Sequence, residues 1–314
     1  MKTRFLSIIA AAALCISGCS KSPAPKVSHV VFVGIDGFAS WCLENALQDS
    51  LTELPNLRYL MENGSYSFRK RSVMPSSSAI NWATIFNGMP MEMHGYNNWD
   101  SRKPVITPVE TGVNGMPTTI YTLLREQRPG AESGAVYNWV GIGYLIDTLA
   151  TSYHFFDYGF RHQEETGYTT KGYVAKAAEY LTTAKPALFT LYFDELDHGS
   201  GHPTGWGSPH YYKTMELLDS CIGDLIQALK GAGMWEDTIF IVSSDHGGTP
   251  DGNHGGYTLR EMESPYIVCG KNIRKGHEIK TPLMQYDLTA NFAYMLGLEI
   301  PVHWRGRPTL EMFK

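Results

Sequence analysis

Three apolar runs in this chain each end in aspartate: HVVFVGID (29–36), PALFTLYFD (186–194) and TIFIVSSD (238–245). A fourth run, SPYIVCG (264–270), has the same character. All are short and apolar throughout, so they are predicted as strands buried on both faces. Helical patterns separate them. SSSAINWATIFNG has Ser at its start and Gly at its end, as helix caps prefer. LPNLRYLMENG, TGYTTKGYVAKAAEYLTTAK, HYYKTMELLDSCIGDLIQALKGAG and YDLTANFAYMLGL are the other helical stretches. Strands alternating with helices predict an α/β fold, a mainly parallel central sheet with helices on both faces. The segment SRKPVITPVETGVNGMP (101–117) reads as a long irregular loop, expected over the site.

The first eighteen residues stand apart. Lys2 and Arg4 precede the apolar stretch FLSIIAAAALCI, which is too short to span a bilayer comfortably and reads as a signal peptide. It leads into Ile16-Ser17-Gly18-Cys19, which resembles a bacterial lipobox, so Cys19 is the expected lipidation site and first residue of the mature chain. Residues 19–26 would form a tether and 27–314 a single catalytic domain, held at the cell envelope (periplasm or outer membrane) by lipid alone. From Cys19 onward the formal charge is −7, which argues against a nucleic-acid scaffold with its basic face. Cys42, Cys221 and Cys269 form no C-x-x-C pair and are expected to be buried apolar residues.

In a parallel sheet, ligands sit beyond the carboxyl ends of the strands. Asp36 follows the first run, Asp194, Asp197, His198 and His202 follow the second, and Asp245 and His246 follow the third, with His254 a few residues on. Carboxylates gathered at one edge repel one another and lose solvation, and a cation relieves both penalties. Aspartate with histidine and no cysteine suits zinc, with manganese and iron in the same donor class, and the number of donors suggests two metals. Ser76, Ser77 and Ser78 stand at a predicted helix start, where free N–H groups and the helix dipole favour a phosphate.

The segments VGIDG, PSSSAINWATIFNGMPMEMHG, DELDHGSGH, SSDHGG and NHGGYT, in this order, resemble the alkaline phosphatase superfamily, nearest its nucleotide pyrophosphatase/phosphodiesterase branch. The resemblance covers nearly all of the chain after the leader. It implies a two-metal phosphoric ester hydrolase working through a phosphoseryl intermediate on Ser78, with Pro75 and Asn81 three residues to either side. It further implies that Asp36, Ser78, Asp245 and His246 hold one zinc and that Asp197, His202 and His254 hold the other. The chain departs from the pattern at one point: the middle Asp and His are usually four apart, whereas Asp197 and His202 are five apart. Either Ser200 is extruded as an insertion or His198 replaces His202; the GHPTG that begins at Gly201 favours His202. Asp194 and His198 then support the ligands without being ligands.

The same resemblance places substrate-binding Asn at Asn97 or Asn98 and a base-stacking Tyr at Tyr192. A second stacking aromatic would fall on Ala79, leaving half the clamp missing unless Trp82, Tyr96 or Trp99 supplies it. A small phosphodiester is therefore the expected substrate. The alternatives are a phosphomonoesterase of the alkaline phosphatase kind and a non-catalytic metal-binding surface lipoprotein. A formylglycine sulfatase would need x-Pro-x-Arg after the nucleophile, which Ala79-Ile80-Asn81-Trp82 does not provide. A phosphomutase would need a cap domain of about a hundred residues, and the stretch between Gly88 and Asp197 is already committed to sheet elements.

Overall fold

The computed structural model describes residues 27–49, 52–159, 164 and 167–314. The leader, Cys19 and the tether lie outside the described residues. The strands are β1 (His29–Ile35), β2 (Gly64–Arg71), β3 (Ser133–Tyr137), β4 (Tyr153–Phe156), β5 (Leu188–Phe193), β6 (Thr238–Ser243), β7 (Glu263–Gly270) and β8 (His277–Glu278). They form one eight-stranded sheet in the order β4-β3-β5-β1-β6-β7-β2-β8. All neighbours are parallel except β7, which runs against both β6 and β2. The principal helices are α1 (Ser40–Gln48), α2 (Pro55–Glu62), α3 (Ser78–Asn87), α4 (Met91–His94), α5 (Ile120–Gln127), α6 (Thr170–Ala184), α7 (Pro209–Gly231) and α8 (Asp287–Met295).

Alternate residues of β1 feed two separate cores. Val30 and Phe32 pack with Trp82 and Phe86 of α3, Tyr121 of α5 and Phe292 of α8. Val31, Val33 and Ile35 pack with Leu43 of α1, Leu57 of α2, Val174 of α6 and Leu225 of α7. Helices thus cover both faces, and a strand wet on neither side reads as a continuous apolar run. Cys42, Cys221 and Cys269 are buried and unbonded to one another.

Register decides where the site forms. Ile35 lies opposite Phe193 of β5, and Gly34 lies opposite Ser243 of β6. The chain therefore leaves the three central strands at one level of the same edge. The stretch between Gly88 and Asp197 is spent on β3, β4, β5 and helices of the same layers. The loop 101–117 is fastened to the chain at α4: Val105 N–H donates to Gly95 O (2.8 Å) and Val109 N–H to Met93 O (2.9 Å).

Candidate active site

Asp36 follows β1 and is carried inward by Gly37, whose φ of +65° is the left-handed conformation. A Cβ at Gly37 would stand 3.0 Å from Asp197 Cβ, so glycine lets the two ligand-bearing segments touch. One oxygen of Asp36 is fixed: its Oδ2 accepts from Tyr192 Oη (2.6 Å) and from Trp82 Nε1 (2.9 Å). Asp36 Oδ1 and Asp245 Oδ2 instead face His246 Nε2 at 3.4 and 3.2 Å. Ser78 Oγ lies 3.2 Å from the same nitrogen. Ser78 is the first residue of α3, whose N-cap is Ser77. Asn81 holds the turn before it: its Oδ1 accepts from Val73 N–H (2.8 Å), and its Nδ2 donates to Pro75 O (3.0 Å) and Ser77 O (3.1 Å).

The second group forms around Asp197. Its Oδ2 lies 3.4 Å from His202 Nε2 and its Oδ1 lies 3.8 Å from His254 Nε2. Residues Asp197–Gly201 make a single π-helical turn, with Gly201 N–H donating to Leu196 O at 2.8 Å. A π turn returns to the same face after about five residues instead of about four. The five-residue spacing from Asp197 to His202 is thereby absorbed with both side chains still on one side. Ser200 is not extruded: it is fully buried, and its hydroxyl donates to the carbonyls of Glu195 (3.0 Å) and Leu196 (3.2 Å).

Three histidines share one arrangement. Nδ1 of His246, His202 and His254 lies 2.8, 2.8 and 3.0 Å from the carbonyl oxygens of Gly247, Gly252 and Ser76. Each Nδ1 must then carry the proton, which leaves Nε2 as a lone pair when the ring is neutral. Burial pushes the pKa of His246 down, and burial followed by the neighbouring His246 pushes His254 down to about 4. His198 behaves otherwise. Its Nδ1 faces Asp197 Oδ2 (3.3 Å) and Asp194 Oδ1 (3.5 Å), and against the effect of burial these two carboxylates raise its pKa to about 10. It is a cationic partner of the carboxylates. Asp194, Asp197 and His198 do lie within 4.8 Å of one another, as do Asp36–Asp245–His246 and Asp197–His246–His254. What separates His198 from the other three is its orientation: its Nδ1 faces two carboxylates, whereas each of theirs faces a backbone carbonyl.

The electrostatics call for a cation. Burial, then Asp197, raises the Asp36 pKa to about 6, while burial with Asp36 and Asp197 lifts Asp245 well above the usual carboxylate range. Burial also opposes ionisation of Asp197, but His198 and the other histidines bring it below that range. Asp36 Oδ1, Asp197 Oδ1 and Asp245 Oδ2 are buried and have no hydrogen-bond partner among the described residues. One oxygen from each aspartate is thus turned toward histidine Nε2 atoms that have no proton to give. Such a dry site calls for positive charge, and this donor set suits divalent metal ions in place of protons.

A cavity of about 410 Å³ opens beside these groups, lined by Ser77, Ser78, Trp99, Asp197, His198, His202 and His254. Two sequence expectations fail here. Tyr192 offers no stacking face: it lies on a central strand, is fully buried between Trp82 and Trp139, and spends its hydroxyl on Asp36. Ala79 leaves no gap either, since its side chain is buried in the core beneath α3. Trp82 and Tyr96 are buried too, whereas Trp99 is 48% exposed. Trp99 O also accepts from Ala79 N–H (3.1 Å), which ties it to the helix start. Asn97 and Asn98 are exposed on the same loop, and Asn98 Oδ1 accepts from Trp99 N–H (2.8 Å). Trp99 also lines a second cavity of about 410 Å³, with Arg102, Asn138, Trp139, Tyr144, Phe156 and Tyr158 among its walls.

Residues 30–264 match the family described as type I phosphodiesterase / nucleotide pyrophosphatase. The chain belongs to this family. Venom phosphodiesterase CdcPDE of Crotalus durissus collilineatus is 28% identical over 248 residues, covering 74% of this chain and 28% of that protein. Human bis(5'-adenosyl)-triphosphatase ENPP4 is 26% identical over 246 residues, covering 74% of this chain and 49% of that protein. The chain therefore spans half or less of the length of these two relatives. Murine ectonucleotide pyrophosphatase/phosphodiesterase 5, solved in an inactive form with AMP, superposes with a TM-score of 0.71 at 19% identity, over 91% of this chain and all of that one. Phosphonate monoester hydrolase SpPMH from Silicibacter pomeroyi gives 0.65 at 18% identity, over 90% and 75%. The fold is that of the alkaline phosphatase superfamily. One residue and one turn of this phosphodiesterase-family site carry little signal in the sequence. Trp82 was weighed only as a stacking ring, although it lies four residues from Ser78 on α3 and reaches back to Asp36. The π turn has no signal beyond the anomalous spacing itself.

Proposed function

We propose that this chain is a two-metal phosphodiesterase in which Ser78 is the nucleophile. The observation that carries the reading is the convergence of Ser78 Oγ, three buried aspartate oxygens and the His246 and His254 Nε2 atoms beside a cavity that Ser78, Asp197, His202 and His254 line. Asp36, Ser78, Asp245 and His246 would hold one ion, and Asp197, His202 and His254 the other, with zinc suited to this donor set. When bound, the two ions supply Lewis-acid charge that lowers the Ser78 hydroxyl's pKa and neutralises charge on the phosphoryl oxygens. Ser78 attacks phosphorus in line and the leaving alcohol departs, giving a phosphoseryl chain that water then cleaves. At the start of α3 the Ala79 N–H is taken by Trp99 O, so the other first-turn N–H groups and the helix dipole would favour the phosphoryl group. Asn98 or Asn97, on the loop that carries Trp99, would bind a phosphoryl oxygen. Trp99 stands between the reaction cavity and the aromatic second cavity, so the organic group of a nucleotide-like diester would lie against it.

A lipid on Cys19 would hold the domain at the bacterial cell envelope and make the only membrane contact. The substrate is then a small phosphate ester met outside the cytoplasm. Hydrolysis of a mono-aryl phosphate, a bis-aryl phosphate and a nucleotide aryl diester by the protein from Lys26 onward, with added zinc, tests the reading. The diesters are expected to be cleaved faster. Faster cleavage of the monoester would replace it with a phosphatase, and no cleavage at all would leave a metal-binding lipoprotein.

A further inference from the structure

Lys70 is fully buried near the end of β2, in the polar run GSYSFRKR. Its ammonium donates to Ser244 O (2.6 Å) and to Gln285 Oε1. Both acceptors are neutral, and among the described residues no carboxylate lies within ion-pair distance of it. Burying an ammonium this way is costly. A methionine of similar length would fill the space but would remove the shortest of the three donors to Ser244 O, leaving Gln285 Nε2 (3.2 Å) and Ser264 Oγ (3.3 Å). Packing alone does not call for a charge.

The next peptide is held as firmly. Asp245 O accepts from Ser72 Oγ (2.5 Å) and Gln285 Nε2 (3.0 Å). Lys70, Ser72, Ser264 and Gln285 are all fully buried, and they come from β2, its exit, β7 and the approach to α8. They converge on two carbonyls that immediately precede and belong to the Asp245–His246 pair. Consecutive side chains on an extended chain point to opposite sides. Here Asp245 Oδ2 and His246 Nε2 come within 3.2 Å of each other, so the chain must turn between them. That turn pushes the Ser244 and Asp245 carbonyls back into the protein, where they need donors.

We propose that Lys70 is a positioning residue for the Asp36/Asp245/His246 metal position, pinning the Ser244 carbonyl so that two adjacent ligands face one ion. This rests on the two-metal reading above. The test is calorimetric titration of chelator-stripped protein with zinc, alongside kcat, KM and the melting temperature of the stripped form. Wild type is expected to take two ions. In Lys70→Met one of the two should bind about 10–100-fold more weakly, as when partners behind a metal ligand are removed. Its kcat should fall while KM on a bis-aryl phosphate changes little. Lys70→Gln keeps an N–H donor and should recover part of the loss. Wild-type zinc affinity and kcat in both variants, with only a lower melting temperature, would overturn the proposal and leave Lys70 a purely structural residue. Wild type that fails to take two ions would instead overturn the two-metal reading, and this proposal with it. Should Lys70→Met not be recovered folded, Gln285→Met releases the same carbonyls. The same weakening is then expected, and unchanged affinity overturns the proposal.

Discussion

The two halves of the site are built differently. Asp36, Asp245 and His246 leave the ends of neighbouring central strands, and all three are essentially inaccessible. Asp197, His202 and His254 come from a π turn and a glycine-rich loop, and the His202 and His254 side chains are 37% and 10% exposed. The sheet makes the first half rigid, and it is the half that touches Ser78. The second half forms the wall of the cavity. Fixed placement thus lies where a nucleophile must be aligned, and access lies where substrate and water must enter.

Breaking each half separately sharpens this division. The largest effect is expected from Ser78→Ala, which should lower kcat by about a thousandfold or more, with metal content and melting temperature near wild type. Activity within a few-fold of wild type would move the nucleophile to Ser76 or Ser77. Next comes His202→Ala, which should reduce bound zinc toward one ion per chain. His198→Ala should retain both ions, since among the described residues no backbone carbonyl holds its ring as Gly252 O holds that of His202. Metal analysis of the two variants decides it, and loss of an ion from His198→Ala alone would reverse the assignment.

The same contrast explains what the sequence could and could not reveal. Asp36, Asp245 and His246 directly follow apolar runs, and a buried central strand announces both itself and its end. Ser78 sits at a helix start with recognisable caps, and α3 begins there. The π turn is different: DHGSG has no local pattern that distinguishes a wide turn from a loop, and the hydrogen bonds of Ser200 to Glu195 and Leu196 exist only once the turn is made. β2 escaped notice because GSYSFRKR is polar, and the burial of Lys70 depends on partners about 170 or more residues away. Tyr192 was misjudged for a related reason. Its place on the strand was legible, but its enclosure between Trp82 and Trp139 is a product of tertiary packing.

The buried half also predicts a pH response of the metal-free protein. The folded-state pKa of Asp36 is raised to about 6 from 3.8, chiefly by burial and then by Asp197. Between those values the folded chain holds a proton that the unfolded chain has released. The Asp36 contribution to stability should therefore fall as pH rises from about 4 to about 6. His254, lowered to about 4, and His246 act with the opposite sign over the same window, so the Asp36 part is read as the difference between wild type and Asp36→Asn. Asp245, also raised, should extend the fall to higher pH. Zinc displaces these protons, so the loaded protein should lose the trend. Urea denaturation at several pH values, with and without zinc, measures it. An Asp36→Asn variant with the same pH dependence as wild type would show that this carboxyl holds no extra proton in the folded chain.

The smallest effect belongs to the open half. With Tyr192 enclosed and Ala79 packed in the core, Trp99 is the aromatic that reaches the reaction cavity, and it also borders the cavity lined by Trp139, Tyr144, Phe156 and Tyr158. Stacking a base on an aromatic ring contributes about 1–3 kcal/mol. Trp99→Ala should therefore lower kcat/KM for a nucleotide aryl diester by about tenfold or more, since each ~1.4 kcal/mol is a factor of ten. A diester with two small alkyl groups should be hydrolysed at nearly the wild-type rate, because it has no ring to stack. The ratio between the two substrates is the measurement, since it cancels any general damage to the site. Equal losses on both would mean that Trp99 acts by holding the start of α3 through its carbonyl, and the division into a fixed nucleophile side and an open substrate side would then have to place Trp99 with the former.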